Sequence, residues 1–232
     1  MIHRLLCCSD THGEVPPVLD DANATAWLHA GDVADGPSAV EDESDPLDDP
    51  LRAAAARWYT TRPVPVFVVR GNHDVTDDLG AFAAATDVTG RVSRLADGLW
   101  VAGVGWGGER YFELPLESDL RAACDDVERM ARRLVMPRDR VVLLTHYPPR
   151  LPGMRSVDRD PPNGGLWYDC VRELAESLRP AAVVQGHVHK WAGTSQTVTL
   201  GGANVLVFHP ESTGGILLVN ASDGIAGMEW PA

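Results

Sequence analysis

Apolar residues along this chain fall into short runs that end abruptly in polar or glycine-bearing stretches. Residues 2–8, 25–30, 65–69, 140–144 and 181–184 are such runs, rich in branched side chains, and read as strands buried on both faces. Between them, residues 15–24, 51–61, 78–85, 117–136 and 166–178 read as helices. The clearest is 117–136, where Leu120, Cys124, Val127, Met130 and Leu134 recur every three or four residues and form one apolar stripe. Pro137 then ends it. Residues 92–95 and 99–105 read as strands joined at Asp97-Gly98, a strong hairpin signal. After residue 190 the pattern changes, and 192–198, 204–208, 215–220 and 225–230 read as strands separated by glycine-rich turns. A β/α alternation followed by a β-rich tail predicts an α/β (α+β) chain with two sheets packed face to face and helices outside. No repeat, low-complexity tract or linker divides it, so one domain over residues 1–232 is expected.

Composition narrows the partners. The formal charge is −13, the isoelectric point is near 4.9, and Lys190 is the only lysine. An acidic surface repels polyanions at long range and speaks against a general nucleic-acid binder. It leaves room for a small phosphorylated substrate at a site whose own cations set the local charge. Cys7, Cys8, Cys124 and Cys170 show neither Cys-x-x-Cys pairing nor disulfide-like spacing and read as free thiols. The apolar run at the N-terminus is too short for a signal peptide, and no stretch approaches the length of a membrane span. A cytoplasmic, reduced protein with no membrane partner is expected. The acidic segment 41–49 lacks apolar periodicity and reads as a solvated loop. The proline-rich connection 148–165 carries Arg150, Arg155 and Arg159 and is long enough to be a binding loop for an anionic substrate.

The candidate chemistry lies where the strands end. The first strand empties into Asp10-Thr11-His12, the second into Gly31-Asp32, the third into Gly71-Asn72-His73-Asp74, and later ones into His146 and Gly186-His187-Val188-His189. Ligand sites in open α/β sheets lie outside the carboxyl ends of strands. Any one of these segments alone is equally compatible with an ordinary polar turn. Five of the eight histidines at successive strand ends point instead to a shared site. Mixed Asp, Asn and His ligation suits Mn²⁺, Fe or Zn²⁺ rather than a thiolate-type structural zinc. Seven such side chains exceed one tetrahedral shell, whereas two ions sharing a carboxylate about 3.5–4 Å apart would use them all.

In order, Asp10-x-His12, Gly31-Asp32-x-x-Asp35, Gly71-Asn72-His73-Asp74, His146 and Gly186-His187-x-His189 resemble the five-block signature of calcineurin-like metallophosphoesterases. The resemblance implies a four-layer α-β-β-α sandwich of two mixed sheets and two divalent metal ions per chain. It assigns Asp10, His12 and His189 to one ion, and Asn72, His146 and His187 to the other, with Asp32 bridging. It makes His73 the general acid, oriented by Asp35, puts Asn72 and His73 at the substrate, and has a water bridging the ions attack phosphorus. Asp74 is expected to support its loop, and Arg70 to form a surface ion pair. Protein serine/threonine phosphatases of this superfamily carry an arginine directly after the position matching Asp35; here Gly36 stands there. The compact chain looks more like phosphatases and phosphodiesterases of small molecules, cyclic nucleotides included. A nuclease of the same superfamily and a non-catalytic metal-binding interaction module are the alternatives. The physiological substrate, the mono- versus diester preference and the oligomeric state do not follow from the sequence.

Overall fold

In the computed structural model the described residues are 1–15, 23–33, 56–74, 84–108, 113–154, 167–210, 212, 214–220, 222 and 224–230. Their strands are β1 (Ile2–Cys8), β2 (Ala26–His29), β3 (Val66–Val68), β4 (Thr86–Asp87), β5 (Arg91–Ala96), β6 (Leu99–Val104), β7 (Val141–Thr145), β8 (Ala182–Gln185), β9 (Thr194–Leu200), β10 (Ala203–His209), β11 (Gly215–Asn220) and β12 (Gly224–Glu229). Two helices lie wholly within the described residues: α1 (Glu117–Leu134) between β6 and β7, and α2 (Asp169–Leu178) between β7 and β8. The first sheet has the order β12-β11-β1-β2-β3-β4 and the second β5-β6-β7-β8-β10-β9. Within them β1, β2 and β3 run parallel, as do β7, β8 and β10. The carboxyl ends of three neighbouring strands in each sheet therefore open on one edge.

The layers follow from strand geometry, because successive side chains point to opposite faces. On β1, Leu5 and Cys7 join Leu28, Phe67, Val142, Leu144, Val184 and Phe208 in the core between the sheets. Leu6 and Cys8 point the other way and pack with Trp27, Val66 and Val68 against Trp58 and Tyr59, which lie in helical residues 56–60. Outside the second sheet, Leu143 and Val183 meet Leu120, Cys124 and Val127 of α1 and Val171 and Leu174 of α2. Strands buried on both faces explain why their sequences are almost continuously apolar. Truncating one of these leucines to alanine would cost about 2–5 kcal/mol.

The local signals hold with adjustments. Gly98 takes φ 73° in the β5–β6 turn, as the Asp97-Gly98 pair predicts. At the start of α1 the Asp119 carboxylate accepts the Leu116 backbone N–H at 2.8 Å. The helix stops before Pro137, at a left-handed Val135 with φ 50°, so Leu134 is exposed and the buried stripe is Leu120, Cys124 and Val127. β4 has only two residues and no pattern from which to predict it. The helix expected over 15–24 falls largely outside the described residues, as do most of 78–85 and the acidic segment 41–49. No helix among the described residues is long and apolar enough to cross a membrane.

Candidate metal centre

Three loops from the first sheet and two from the second converge on the shared edge. After β1 the chain places Asp10 and His12, after β2 Asp32, and after β3 Asn72 and His73. His146 follows β7, and His187 and His189 follow β8. Asp10, His12, Asp32 and His187 adopt φ values of 51°, 47°, 54° and 70°. Left-handed backbone is uncommon for residues with a Cβ and costs on the order of 1–3 kcal/mol each. The two other such residues among those described, Val135 and Arg179, merely end helices. Backbone strain is thus concentrated where the polar side chains meet.

Hydrogen bonds between loops hold this conformation. Asp10 N donates to Gly31 O at 2.9 Å and His12 N to Asp32 O at 3.0 Å. The buried Asp74 carboxylate accepts three backbone N–H groups: Gly71 and Asp32 at 2.9 Å and Val33 at 3.0 Å. It ties the β2 and β3 loops together, which is the supporting role expected of it. Gly71 is required by contact: a Cβ there would lie 2.1 Å from Asp32 Oδ1 and 2.8 Å from His146 Cε1.

The eight side chains form a continuous cluster. Asp10, His12 and His189 can each turn one ligand atom into a single group within 4.8 Å, and so can Asp32, His146 and His187. Asn72 Oδ1 lies 3.2 Å from His146 Nε2, and Asp32 Oδ2 lies 3.3 Å from the same nitrogen. A further set joins His12, Asp32 and His73. His73 N donates to Asp32 Oδ1 at 2.9 Å, and its Nε2 is 3.9 Å from Asp32 Oδ2. The His12 and His73 rings meet edge to face at 4.4 Å.

Burial and close opposite charges together set the electrostatics of the cluster. His146 Nδ1 is 2.8 Å from Ala30 O, and a carbonyl only accepts, so Nδ1 carries the proton and Nε2 faces Asp32 and Asn72. Burial opposes charge on His146, but the Asp32 carboxylate, its hydrogen bond, Asp10 and Ala30 outweigh it and push the pKa up to about 9. Burial likewise works against charge on Asp32, yet His146 and His73 hold its carboxyl well below the usual range. Burial first, then the neighbouring His146, pushes His187 down to about 3, leaving a neutral imidazole. Asp10 Oδ2 and His187 Nε2 are buried with no hydrogen-bond partner among the described residues. Buried unpaired polar atoms are costly. A donor set of carboxylate oxygens, an amide oxygen and imidazoles, with such atoms turned inward, fits divalent metal ions.

Not every expected residue enters the cluster. Asp35 lies outside the described residues, as do Arg155 and Arg159. Arg150 is exposed. Arg70 pairs with Asp87 at 3.0 Å, so the expected ion pair forms, but with both side chains partly buried and not at the open surface. One residue was not anticipated: His209, at the end of β10, lies with its Nε2 4.0 Å from Asp10 Oδ2. The signal was available, since His209 is a histidine closing a buried strand just as His146 nearly does, but it stands apart from the five sequence blocks.

Comparison with known proteins agrees with this fold. One solved crystal structure covers 100% of both chains at 15% identity with a TM-score of 0.61. TT1561 of Thermus thermophilus is similar over 95% of each chain at 17% identity and TM-score 0.57. The Phosphopantetheinyl Hydrolase (PptH) of Mycobacterium tuberculosis is similar over 90% of this chain and 89% of its own, at 14% identity and TM-score 0.54. At these identities the likeness concerns the fold. No curated protein matches the chain by sequence. The sequence profile of the calcineurin-like phosphoesterases matches residues 3–191, most of the chain and all of the cluster described above. With a sandwich of two mixed six-stranded sheets and clustered Asp and His side chains able to hold metal, the chain belongs to the calcineurin-like phosphoesterase family.

Proposed function

We propose that this chain, acting as a single domain, is a dinuclear-metal phosphoesterase that hydrolyses a small phosphomonoester or phosphodiester. The observation that carries the reading is the pair of potential ligand sets Asp10, His12 and His189, and Asp32, His146 and His187 with Asn72, linked by a third set of His12, Asp32 and His73. Asp32 belongs to both ions in this reading, and Mn²⁺, Fe or Zn²⁺ suits the ligands. Such ions, once bound, lower the pKa of water and neutralise charge on phosphoryl oxygens. The protein's own part is to fix them and to handle the proton of the leaving group. His73 is the general acid: it is partly exposed, lies against His12 and Asp32, and is aligned by its backbone bond to Asp32 Oδ1. Asp35 orients His73 in this reading, and Asn72 and His73 contact the substrate.

A cavity of about 120 Å³ is lined in part by His209, whose Nε2 lies 4.0 Å from Asp10 Oδ2, and its size suits a small substrate. Its lining includes Met154, Gln185, Lys190, Trp191 and His209, so the only lysine of an acidic chain stands at it. The four cysteines are buried free thiols, which fits the reducing cytoplasm. The test is phosphate release from nitrophenyl mono- and diesters by Mn²⁺-loaded protein, followed by a panel of cyclic nucleotides, phosphorylated metabolites and phosphopantetheinyl esters. Hydrolysis of at least one class is expected. No turnover of any of them by protein carrying two ions would overturn the enzymatic reading.

A further inference from the structure

The end of β10 carries a histidine that none of the roles above uses. His209 is 2% exposed, and β10 runs parallel to β8 with Phe208 paired to Val184. It therefore leaves the sheet beside Gln185, on the edge that bears His187 and His189. Its Nε2 lies 4.0 Å from Asp10 Oδ2. Asp10 Oδ2 and both ring nitrogens of His209 are buried, and none has a hydrogen-bond partner among the described residues. Unpaired buried polar groups are costly, so facing polar atoms this close have reason to pair. An approach of about 1 Å brings them to N–H···O distance. The other oxygen, Oδ1, accepts the His187 backbone N–H at 2.9 Å. A donor on Oδ2 would thus fix the carboxylate from its second side.

We propose that His209 is a positioning residue for the metal centre: its Nε2–H donates to Asp10 Oδ2 and holds that carboxylate toward the ion it would share with His12 and His189. The inference rests on the proposed ligand role of Asp10. Direct ligation is the poorer account, since the sets of described residues able to share an ion contain Asp10 but not His209. Packing alone is poorer too: the nearest ring is Trp191, edge-on at 6.5 Å, and a phenylalanine would fill that space without two polar nitrogens.

The test compares His209→Phe, which keeps the ring and removes the donor, with His209→Gln, whose amide N–H reaches a similar point. Each protein is stripped with chelator, and Mn²⁺ binding is followed by calorimetry, with thermal melting of the metal-free protein in parallel. The Phe variant should weaken one of two binding steps by about 10–100-fold, the usual effect of losing a hydrogen bond to a metal ligand. The other step should stay unchanged, and the Gln variant should return to within a few-fold of wild type. Should the Phe variant not fold, His209→Ala takes its place in the same comparison. Wild-type affinities in the donorless variant, or a Gln variant as weak as it, would overturn the proposal. Wild-type protein that takes up no ion would overturn the metal reading itself, and this inference with it.

Discussion

The two sheets contribute unlike halves to one cluster. The loops after β1, β2 and β3 bring both carboxylates and the amide, Asp10, Asp32 and Asn72, with His12 and His73. Among the described residues the second sheet contributes imidazoles: His146, His187 and His189 from the loops after β7 and β8, and His209 at the end of β10. The first half is braced within itself, by Asp74 across two loops and by backbone bonds between the β1 and β2 loops. The second half is tied within itself by Gly186 N on His146 O at 3.2 Å, and to the first half through His146 Nδ1 on Ala30 O and His187 N on Asp10 Oδ1. The difference teaches a division of labour. Among the described residues, the cluster's carboxylates come from the loops of the first sheet and the second sheet supplies imidazoles, which under the proposed reading would tune each ion separately.

That division can be broken by substitution. The largest effect is expected from Asp32→Asn, which removes the carboxylate proposed to bridge the two ions. Loss of both metals should lower turnover by on the order of 10³-fold or more, since metal ions supply several kcal/mol at the transition state. Elemental analysis after dialysis checks it, and two normally occupied ions would refute the bridging role.

His73→Ala comes next. As general acid it should cost about 10²- to 10⁴-fold in turnover with metal content intact. The set of His12, Asp32 and His73 leaves a rival role as ligand, and an ion lost from the His73→Ala protein would establish it.

Asp74→Ala tests the brace. Three N–H groups lose a charged acceptor, each bond contributing about 1.5–3 kcal/mol, so a loss of at least about 3 kcal/mol is expected in urea melts. An unchanged midpoint would mean that the β2 and β3 loops hold without it.

His187→Ala should be mildest for the centre as a whole. One ion should weaken by about 10- to 100-fold or more while the other stays, as expected if the second sheet tunes ions singly. Equal loss of both in a calorimetric titration would erase the contrast between the sheets.

Much of this organisation was legible in the sequence because strand ends are marked locally. The apolar run of residues 2–8 followed by Asp10 and His12, and the Asp97-Gly98 turn, each announce themselves within a few residues. The meeting of Asp10 with His187 does not, since 177 positions separate them. It follows only once parallel strands are known to open on one edge. β4 was not legible because its pairing comes from β3 and not from its own two residues. The end of α1 was misjudged because a left-handed Val135 stops the helix where nothing in the residue type requires it. His209 escaped notice because Asp10, 4.0 Å from its Nε2, belongs to a loop at the opposite end of the chain.

The most direct test of the account is the number and spacing of ions in the protein itself. X-ray absorption and anomalous diffraction on Mn²⁺-loaded crystals should find two ions per chain, about 3.5–4 Å apart, with Asp32 touching both. A single ion, or two that share no carboxylate, would contradict it.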